Sequence, residues 1–346
     1  MDFRSDNVAG AAPEIFAALQ AANSGNVASY GADQISHDLD ARFSALFETE
    51  CRVFPVATGT AANALALAAL CPPYGAIYCH QESHIQVDEC NAPEAFTSGA
   101  KLVALGGANG KIDSEALERA LGMGWRGTQH HPQPSALSLT QATEAGTVYS
   151  PAEVAALAGL AQQHGLHVHM DGARFANAIV SLNASAADLT WRAGVDVLSF
   201  GATKNGALAA EAVVFFKPAL DKGLADSFLF RRKRAGHLFS KMRFLSAQLA
   251  AMLDNDLWLR LARNANARAL QLADGLAALP GVSIAYPVQA NEVFVVLPEP
   301  LRQAFQAAGI LFHPWSDDGS LCRFVCAFDK TEAEVARLLE IANTLA

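Results

Sequence analysis

A chain of 346 residues is long enough for one large domain and a smaller second one, with a substantial buried core. Hydrophobic residues make up 51% of the chain and charged residues only 17%, a balance which suggests that another subunit covers part of the surface. The net charge of −9 argues against a surface that binds nucleic acid or an anionic membrane.

The sequence predicts a cytoplasmic location. The opening MDFRSDNVAG lacks the apolar core of a signal peptide, and no stretch approaches the roughly 18 apolar residues of a membrane helix. The six cysteines contain no CxxC pair, and they are Cys51, Cys71, Cys79, Cys90, Cys322 and Cys326. This pattern is typical of reduced, mostly buried thiols in a cytoplasmic protein.

An irregular arm at residues 1–12 is expected to lead into a large α/β domain over residues 13–248. Strands are predicted at 52–56, 76–79, 101–105, 136–139, 167–170, 195–200 and 211–216, and helices at 13–22, 37–47, 61–70, 114–121 and 151–163. Because strands and helices alternate, we expect a mostly parallel, seven-stranded sheet.

From residue 249 the pattern changes to that of a compact α+β domain over residues 249–346. One long helix is expected at 249–279, followed by strands at 282–286, 292–297, 310–312 and 322–326 and helices at 300–308 and 331–345. Arg323 lies on an apolar strand, where a charge is costly unless it is paired. A structural ion pair and capture of a substrate carboxylate both explain it.

Two strand ends of the large sheet carry an acid and an amine. Asp171 follows the strand at 167–170, and Lys204 follows the strand at 195–200 among small residues. Sheets of this kind bind ligands at the carboxyl ends of their strands. Pyridoxal phosphate needs this pair of groups, a lysine for a Schiff base and an aspartate against its pyridinium nitrogen.

A third strand end has the pattern of an anion site. The strand at 52–56 runs into Thr58, Gly59 and Thr60, and an alanine-rich helix starts immediately afterwards. Free N–H groups and the helix dipole attract anions at such a turn. An ordinary strand–helix connection is the alternative, but beside Lys204 and Asp171 the turn is the natural place for the cofactor phosphate.

His84 lies just past the strand at 76–79. Its spacing from His80 does not match H-E-x-x-H and the segment does not look helical, so no metal is expected. Packing on the cofactor ring and a structural role are both open for His84. Glu89 is expected close to it.

These residues together resemble the threonine aldolases, which belong to the β-eliminating lyase group and share the aspartate-aminotransferase-type fold of pyridoxal-phosphate enzymes. The resemblance covers nearly the whole chain, and it rests on FRSDNV at 3–8, YGAD at 30–33, TGTAAN at 58–63, His84, HMDGAR at 169–174 and Lys204. It implies cleavage of L-threonine, L-allo-threonine and related β-hydroxy-α-amino acids to glycine and an aldehyde. A lyase that releases ammonia from a β-substituted amino acid is the alternative.

The resemblance also implies how the cofactor is held. Lys204 would form the Schiff base, Asp171 would keep the pyridine nitrogen protonated, and His84 would stack on the ring. Gly59 and Thr60 would bind the phosphate, with help from a basic residue near Arg234 of a neighbouring subunit. A site shared in this way implies a homo-oligomer, either a dimer or a homotetramer.

For the amino-acid substrate, the resemblance implies that Ser5, Arg174 and Arg323 hold the carboxylate, with Arg174 also close to the cofactor. His130 or His131 would lie near the β-hydroxyl, and the general base would be His84, His130 or a water molecule that they polarise.

Two segments depart from the pattern of the threonine aldolases. Many relatives have Glu-Asn-Thr-His-Asn where this chain has TQATE at 140–144, and the segment GATKNG at 201–206 differs from the usual Ser-Lys-Gly run. Both departures leave the range of substrates open.

Overall fold

Seven strands form one large sheet in the computed structural model, which describes residues 1–344. In chain order they are β1 (Cys51–Val56), β2 (Gly75–His80), β3 (Lys101–Leu105), β4 (Gln133–Thr140), β5 (His167–Gly172), β6 (Val197–Gly201) and β7 (Glu211–Phe216). Their order across the sheet is β1-β7-β6-β5-β4-β2-β3. Only β7 runs antiparallel to its neighbours within this sheet, so the predicted mostly parallel, seven-stranded sheet is confirmed.

The α-helices of the larger part of the described chain flank this sheet. They are α1 (Pro13–Ala22), α2 (Gln34–Phe47), α3 (Gly59–Leu70), α4 (His84–Val87), α5 (Ala92–Thr97), α6 (Ser114–Leu121), α7 (Pro151–Gln163), α8 (Phe175–Leu182), α9 (Lys217–Leu220), α10 (Phe228–Arg234) and α11 (Arg243–Leu253). Since helices cover both faces, the strands β2, β6 and β7 are buried along their whole length and read as apolar runs. No helix among residues 1–344 has the length and apolar character needed to cross a membrane.

The C-terminal part contains α12 (Leu257–Ala277), β8 (Ser283–Ile284), β9 (Glu292–Val296), α13 (Glu299–Ala307), β10 (His313–Pro314), β11 (Leu321–Val325) and α14 (Glu332–Asn343). The four strands form an antiparallel sheet in the order β10-β11-β9-β8. The strand predicted at 310–312 corresponds to β10, which begins and ends later in the chain, at His313–Pro314. The predicted helix at 331–345 corresponds to α14, and its last predicted residue, Leu345, lies outside the described residues.

The single helix predicted at 249–279 is wrong. Asn255 and Asp256 adopt left-handed backbone angles, with φ of 50° and 52°, and they separate α11 from α12. Asn and Asp tolerate this conformation better than most residues do, but apolar periodicity does not reveal it. The predicted boundary between residues 248 and 249 falls inside α11, and the division into two domains there stays a prediction.

The N-terminal arm is tied to the smaller sheet. Phe3 is completely buried, its N–H donates to the carbonyl of Leu311 at 2.7 Å, and its carbonyl accepts from the N–H of Val325 at 2.7 Å. The arm was expected to be irregular, yet it includes a short 3-10 helix at Asp6–Val8. This course brings the arm from the smaller sheet to the carboxyl edge of the large one.

Candidate active site

A cavity of about 500 Å³ opens where the parallel strands of the large sheet end. Lys204, Asp171, His84, Gly59 and Thr60 all line it. The structure therefore brings together five residues whose positions in the sequence range from 59 to 204. The volume is in the range of small-molecule sites.

Lys204 lies in a 3-10 turn, Thr203–Asn205, directly after β6. The carboxylate of Glu211 supports this turn, because its Oε2 accepts the N–H of Ala202 at 2.8 Å. Glu211 also lines the cavity, and burial raises its pKa to about 7 although the charge of Lys204 opposes the shift. The sequence indicates no such role for Glu211, because its only recognisable feature there is that it begins a predicted strand.

Asp171 lies at the end of β5 and is almost completely buried. Its Oδ2 accepts from the side-chain amide of Asn63 at 2.9 Å, and its Oδ1 accepts from the N–H of Ala173 at 3.0 Å. Two donors fix the direction of the carboxylate. Asn63 lies on α3, and the sequence alone predicts no role for it.

His84 begins the four-residue helix α4, so the expectation that this segment is not helical is wrong. Its Nδ1 lies 2.8 Å from Oε1 of Glu89, which confirms that Glu89 is close to it. Asn63 donates to the same oxygen at 2.9 Å, so a continuous set of hydrogen bonds joins His84 to Asp171. The hydrogen bond to Glu89 raises the pKa of His84, and partial burial opposes it only in part.

The turn that ends β1 has the geometry of an anion site. Thr58 caps α3 through a hydrogen bond from the N–H of Ala61 to its side-chain oxygen, at 3.2 Å. Gly59 and Thr60 are the first two residues of the helix, and an added Cβ at Gly59 would meet only open space. The first N–H groups of a helix have no partners inside the helix, so they are available to an anion in the cavity.

Arg174 and Arg323 meet beside this cavity without lining it in the described chain. Arg174 is buried and pairs with Asp6 at 2.8 Å and with Glu292 at 3.3 Å. Arg323 lies 3.8 Å from the same oxygen of Glu292 and stacks over the ring of Trp315. The two explanations offered for Arg323 are thus not exclusive, because the ion pair exists and joins Arg323 to Arg174.

Ser5 caps the 3-10 helix of the N-terminal arm by accepting the N–H of Asn7 at 3.2 Å. Asn7 lines the cavity, whereas Ser5 does not line it and instead caps the short helix that contains Asn7. Glu144, the last residue of the segment that departs from the pattern of relatives, also lines the cavity. The cavity therefore carries an acid at a position where the family resemblance implies an asparagine.

Three further sequence-predicted residues, His130, His131 and Arg234, are not brought to the cavity of the described chain. His130 is exposed in the loop that precedes β4, at the amino end of a parallel strand, whereas Lys204 and Asp171 lie at the carboxyl ends. His131 lies in the same loop and stacks on Trp125. Arg234 is exposed at the end of α10. The roles expected for His130, His131 and Arg234 came from the family resemblance and not from their place relative to the strands.

Known proteins resemble this chain over nearly its whole length. The family model for β-eliminating lyases matches residues 2–300. A low specificity L-threonine aldolase of Pseudomonas aeruginosa is 45% identical over 99% of this chain and 96% of its own length, and another from a different Pseudomonas strain is 44% identical over 97% and 95%. A solved threonine aldolase of Leishmania major superposes with a TM-score of 0.91 and 26% identity over 99% of both chains. A serine palmitoyltransferase of Sphingomonas wittichii, at 17% identity over 99% of this chain and 86% of its own with a TM-score of 0.72, shares the fold.

The fold and the site define the class of enzymes that attach a cofactor to a lysine at the edge of a mostly parallel sheet. Within this class, the chain belongs to the β-eliminating lyase family, and its full-length relatives are low specificity L-threonine aldolases. Pyridoxal phosphate is the cofactor implied by this family. The described residues fit it, since an amine, a buried carboxylate and an open helix N-terminus face one cavity.

Proposed function

We propose that this enzyme cleaves L-threonine, L-allo-threonine and related β-hydroxy-α-amino acids to glycine and an aldehyde, with pyridoxal phosphate as its cofactor. The observation that carries the proposal is the shared cavity of Lys204, Asp171 and His84 in a chain that matches low specificity L-threonine aldolases over its full length. An aldehyde-lyase needs these three groups at one place: an attachment point, an acid for the ring and a base.

Three parts of the cavity hold the cofactor in this proposal. Nζ of Lys204 is the covalent attachment point, Asp171 keeps a proton at the ring nitrogen, and the N–H groups of Gly59 and Thr60 bind the phosphate. When bound, pyridoxal phosphate supplies an electron sink for the α-carbon of an amino acid. Asn63 supports the function of Asp171 by holding its carboxylate in one direction.

Arg174, Arg323 and Ser5 bind the carboxylate of the substrate. Guanidinium groups bind carboxylates through two parallel hydrogen bonds, so they fix the rotation of the substrate as well as its position. This rotation decides whether the bond from Cα to Cβ or the bond from Cα to hydrogen is aligned for cleavage. The arginines thereby select one of the two reactions, and the full-length likeness to L-threonine aldolases favours cleavage of the bond from Cα to Cβ.

His84 takes the proton from the β-hydroxyl of the substrate. The hydrogen bond from Nδ1 to Glu89 leaves Nε2 of the neutral ring free to accept it. As this proton leaves, the hydroxyl carbon becomes the carbonyl of the aldehyde and the bond from Cα to Cβ breaks. The electron pair of that bond stays with Cα, where a returned proton completes glycine. His130 lies away from the cavity of its own chain, so as the other proposed base it would act from a neighbouring subunit, as would Arg234, the proposed phosphate ligand.

We also propose a cytoplasmic homo-oligomer in which a second subunit completes each site. Exposed apolar side chains support the homo-oligomer, because a partner subunit would cover them. Such side chains are Phe16, Tyr30, Leu208 and Phe230, which are 54%, 50%, 54% and 75% exposed. A dimer and a homotetramer are distinguished by the mass from light scattering. A monomer that is fully active at every dilution would refute the shared site.

The test of the function compares three proteins in the presence of L-threonine and the cofactor. The wild-type protein is expected to form acetaldehyde, and Lys204→Ala is expected to lose both this activity and the visible absorbance of bound cofactor. Lys217→Ala is the matched control, since Lys217 is exposed and pairs only with surface acids. Equal activity in Lys204→Ala and the control would sink the proposal.

A further inference from the structure

Glu292 is a buried carboxylate between two arginines. It begins β9, its side chain is completely shielded from solvent, and its Oε1 lies 3.3 Å from Arg174 and 3.8 Å from Arg323. Neither of its carboxylate oxygens has a hydrogen-bond partner among the described residues. A buried carboxylate without hydrogen bonds is costly in its charged form, even when two cations are close by.

The charges that face Glu292 come from four different parts of the chain. Asp6 belongs to the N-terminal arm, Glu144 follows β4, Arg174 precedes α8, and Arg323 is on β11. Including Glu292, three carboxylates therefore face two guanidinium groups. Burial and the charges of Glu144 and Asp6 raise the pKa of Glu292 to about 7, with the arginines opposing the shift.

A substrate carboxylate that binds to these arginines would be the fourth carboxylate around two cations. The repulsion is relieved most directly if one of the buried acids becomes neutral. Glu292 is the acid that contacts both arginines and lacks hydrogen bonds to stabilise its charge. Asp6, by comparison, accepts hydrogen bonds from Arg174 and from Asn291.

We propose that Glu292 takes up one proton from solvent when a carboxylate binds to Arg174 and Arg323, and that it returns this proton when the ligand leaves. The inference rests on the proposed function, because that function assigns the two arginines to the substrate carboxylate. Glu292 is then a positioning residue with two states. Charged, it holds both arginines in place in the free enzyme; neutral, it leaves both of them to the substrate.

The consequence is a dependence of substrate affinity on pH. Below the pKa of Glu292 in the free enzyme, the residue is already protonated and carboxylate binding takes up no proton. Above it, each bound carboxylate requires a proton, so affinity falls as the pH rises, by about tenfold between about pH 6 and about pH 8. Glu292→Gln has no proton to take up, so its affinity is expected to change less than about twofold over the same range.

The test uses the cofactor-loaded enzyme and 3-hydroxybutyrate, which is threonine with hydrogen in place of its amine. This ligand keeps the carboxylate but cannot react with the cofactor, and its own charge is constant near neutral pH. Calorimetry in two buffers of different protonation enthalpy gives the number of protons taken up per ligand bound. The wild-type enzyme is expected to take up between about half a proton and one proton at about pH 7.5, and much less at about pH 6.

Three variants separate the possible outcomes. Glu292→Gln is expected to bind with almost no proton uptake, and Glu292→Asp, which keeps the acid, is expected to retain it. Unchanged proton uptake in Glu292→Gln would overturn the inference, as would a wild-type uptake of zero at both pH values, which also decides the question if the variant fails to fold. Arg323→Ala tests the proposed function separately: if it binds 3-hydroxybutyrate as tightly as the wild type does, the arginines do not bind the carboxylate.

Discussion

Nδ1 of His84 lies 2.8 Å from Oε1 of Glu89, and the side chain of Glu89 is completely buried. A buried acceptor fixes the orientation of the imidazole and the position of its Nδ1 proton, so Nε2 is left as the basic nitrogen. The same oxygen of Glu89 accepts from Asn63, which also donates to Asp171. One amide therefore links the proposed base to the proposed partner of the cofactor ring.

Glu89→Gln is expected to move the acidic limb of the pH profile to lower pH. The hydrogen bond to Glu89 raises the pKa of His84, and a neutral amide stabilises the imidazolium less than a carboxylate does. Since only neutral His84 accepts the substrate proton, the raised pKa makes activity fall as the pH drops through it. The measurement is kcat/KM against pH, with a loss of about tenfold to a hundredfold at the optimum.

Glu82→Gln is the control for this experiment, because Glu82 is exposed and lies only two residues from His84. Its pH profile is expected to match that of the wild type. If Glu89→Gln leaves the acidic limb where it is in the wild type, His84 is not the group that limits activity there.

Asp171→Asn is expected to keep the cofactor bound and to lose most of the activity. An amide replaces the carboxylate without a change in size, but it cannot hold a proton at the ring nitrogen of the cofactor. We expect a visible absorbance band together with a fall in kcat of at least about a hundredfold. Asp188→Asn, at an exposed acid that pairs with Arg192, is the matched control. A kcat close to that of the control would remove Asp171 from the mechanism.

Arg323→Ala is expected to weaken binding of the substrate carboxylate. Loss of one half-buried, charged hydrogen-bonding partner lowers kcat/KM by about a hundredfold or more. The matched control is Arg337→Ala, because Arg337 is exposed and, among residues 1–344, pairs only with Glu340 on the same helix. Steady-state kinetics with L-threonine measure the effect. A kcat/KM equal to that of the control would leave Arg323 with a structural role alone.

Glu211→Gln is expected to change how stability depends on pH. Burial raises the pKa of Glu211 to about 7, so the folded protein binds a proton there that the unfolded chain has already lost. The wild type is therefore expected to lose stability as the pH rises from about 4.5 to about 7, by up to about 3 kcal/mol at this residue. The variant lacks this loss. Denaturant unfolding at about pH 5 and about pH 8 measures the free energy of unfolding, which is expected to fall more in the wild type than in the variant. An equal fall in both proteins would contradict the raised pKa of Glu211.

The sequence predicts the parts of the site that depend on local pattern. Lys204, Asp171 and the turn at Gly59 each follow an apolar strand, so their position at one edge of the sheet follows from the direction of parallel strands. The sequence does not predict partners from distant segments. Asn63 and Asp171 are 108 residues apart. The contact of Glu292 with Arg174 exists only after the two sheets pack, whereas its contact with Arg323 joins neighbouring strands of the smaller sheet.

The prediction for His130 depended on the family resemblance alone. Its loop leads into the amino end of β4, so in the described chain it lies at the opposite edge from the cavity. The break between α11 and α12 was missed for a different reason. Apolar residues continue on one helical face across it, whereas the left-handed angles of Asn255 and Asp256 interrupt the helix.

The most direct test of the proposed function is the stoichiometry of products after cofactor-loaded enzyme is incubated with L-threonine. Cleavage between Cα and Cβ predicts glycine and acetaldehyde in equal amounts, with no ammonia. Ammonia together with a keto acid would mean that the bond from Cα to hydrogen is the one broken. The cofactor site would then stand, but the assignment as an aldolase would be wrong.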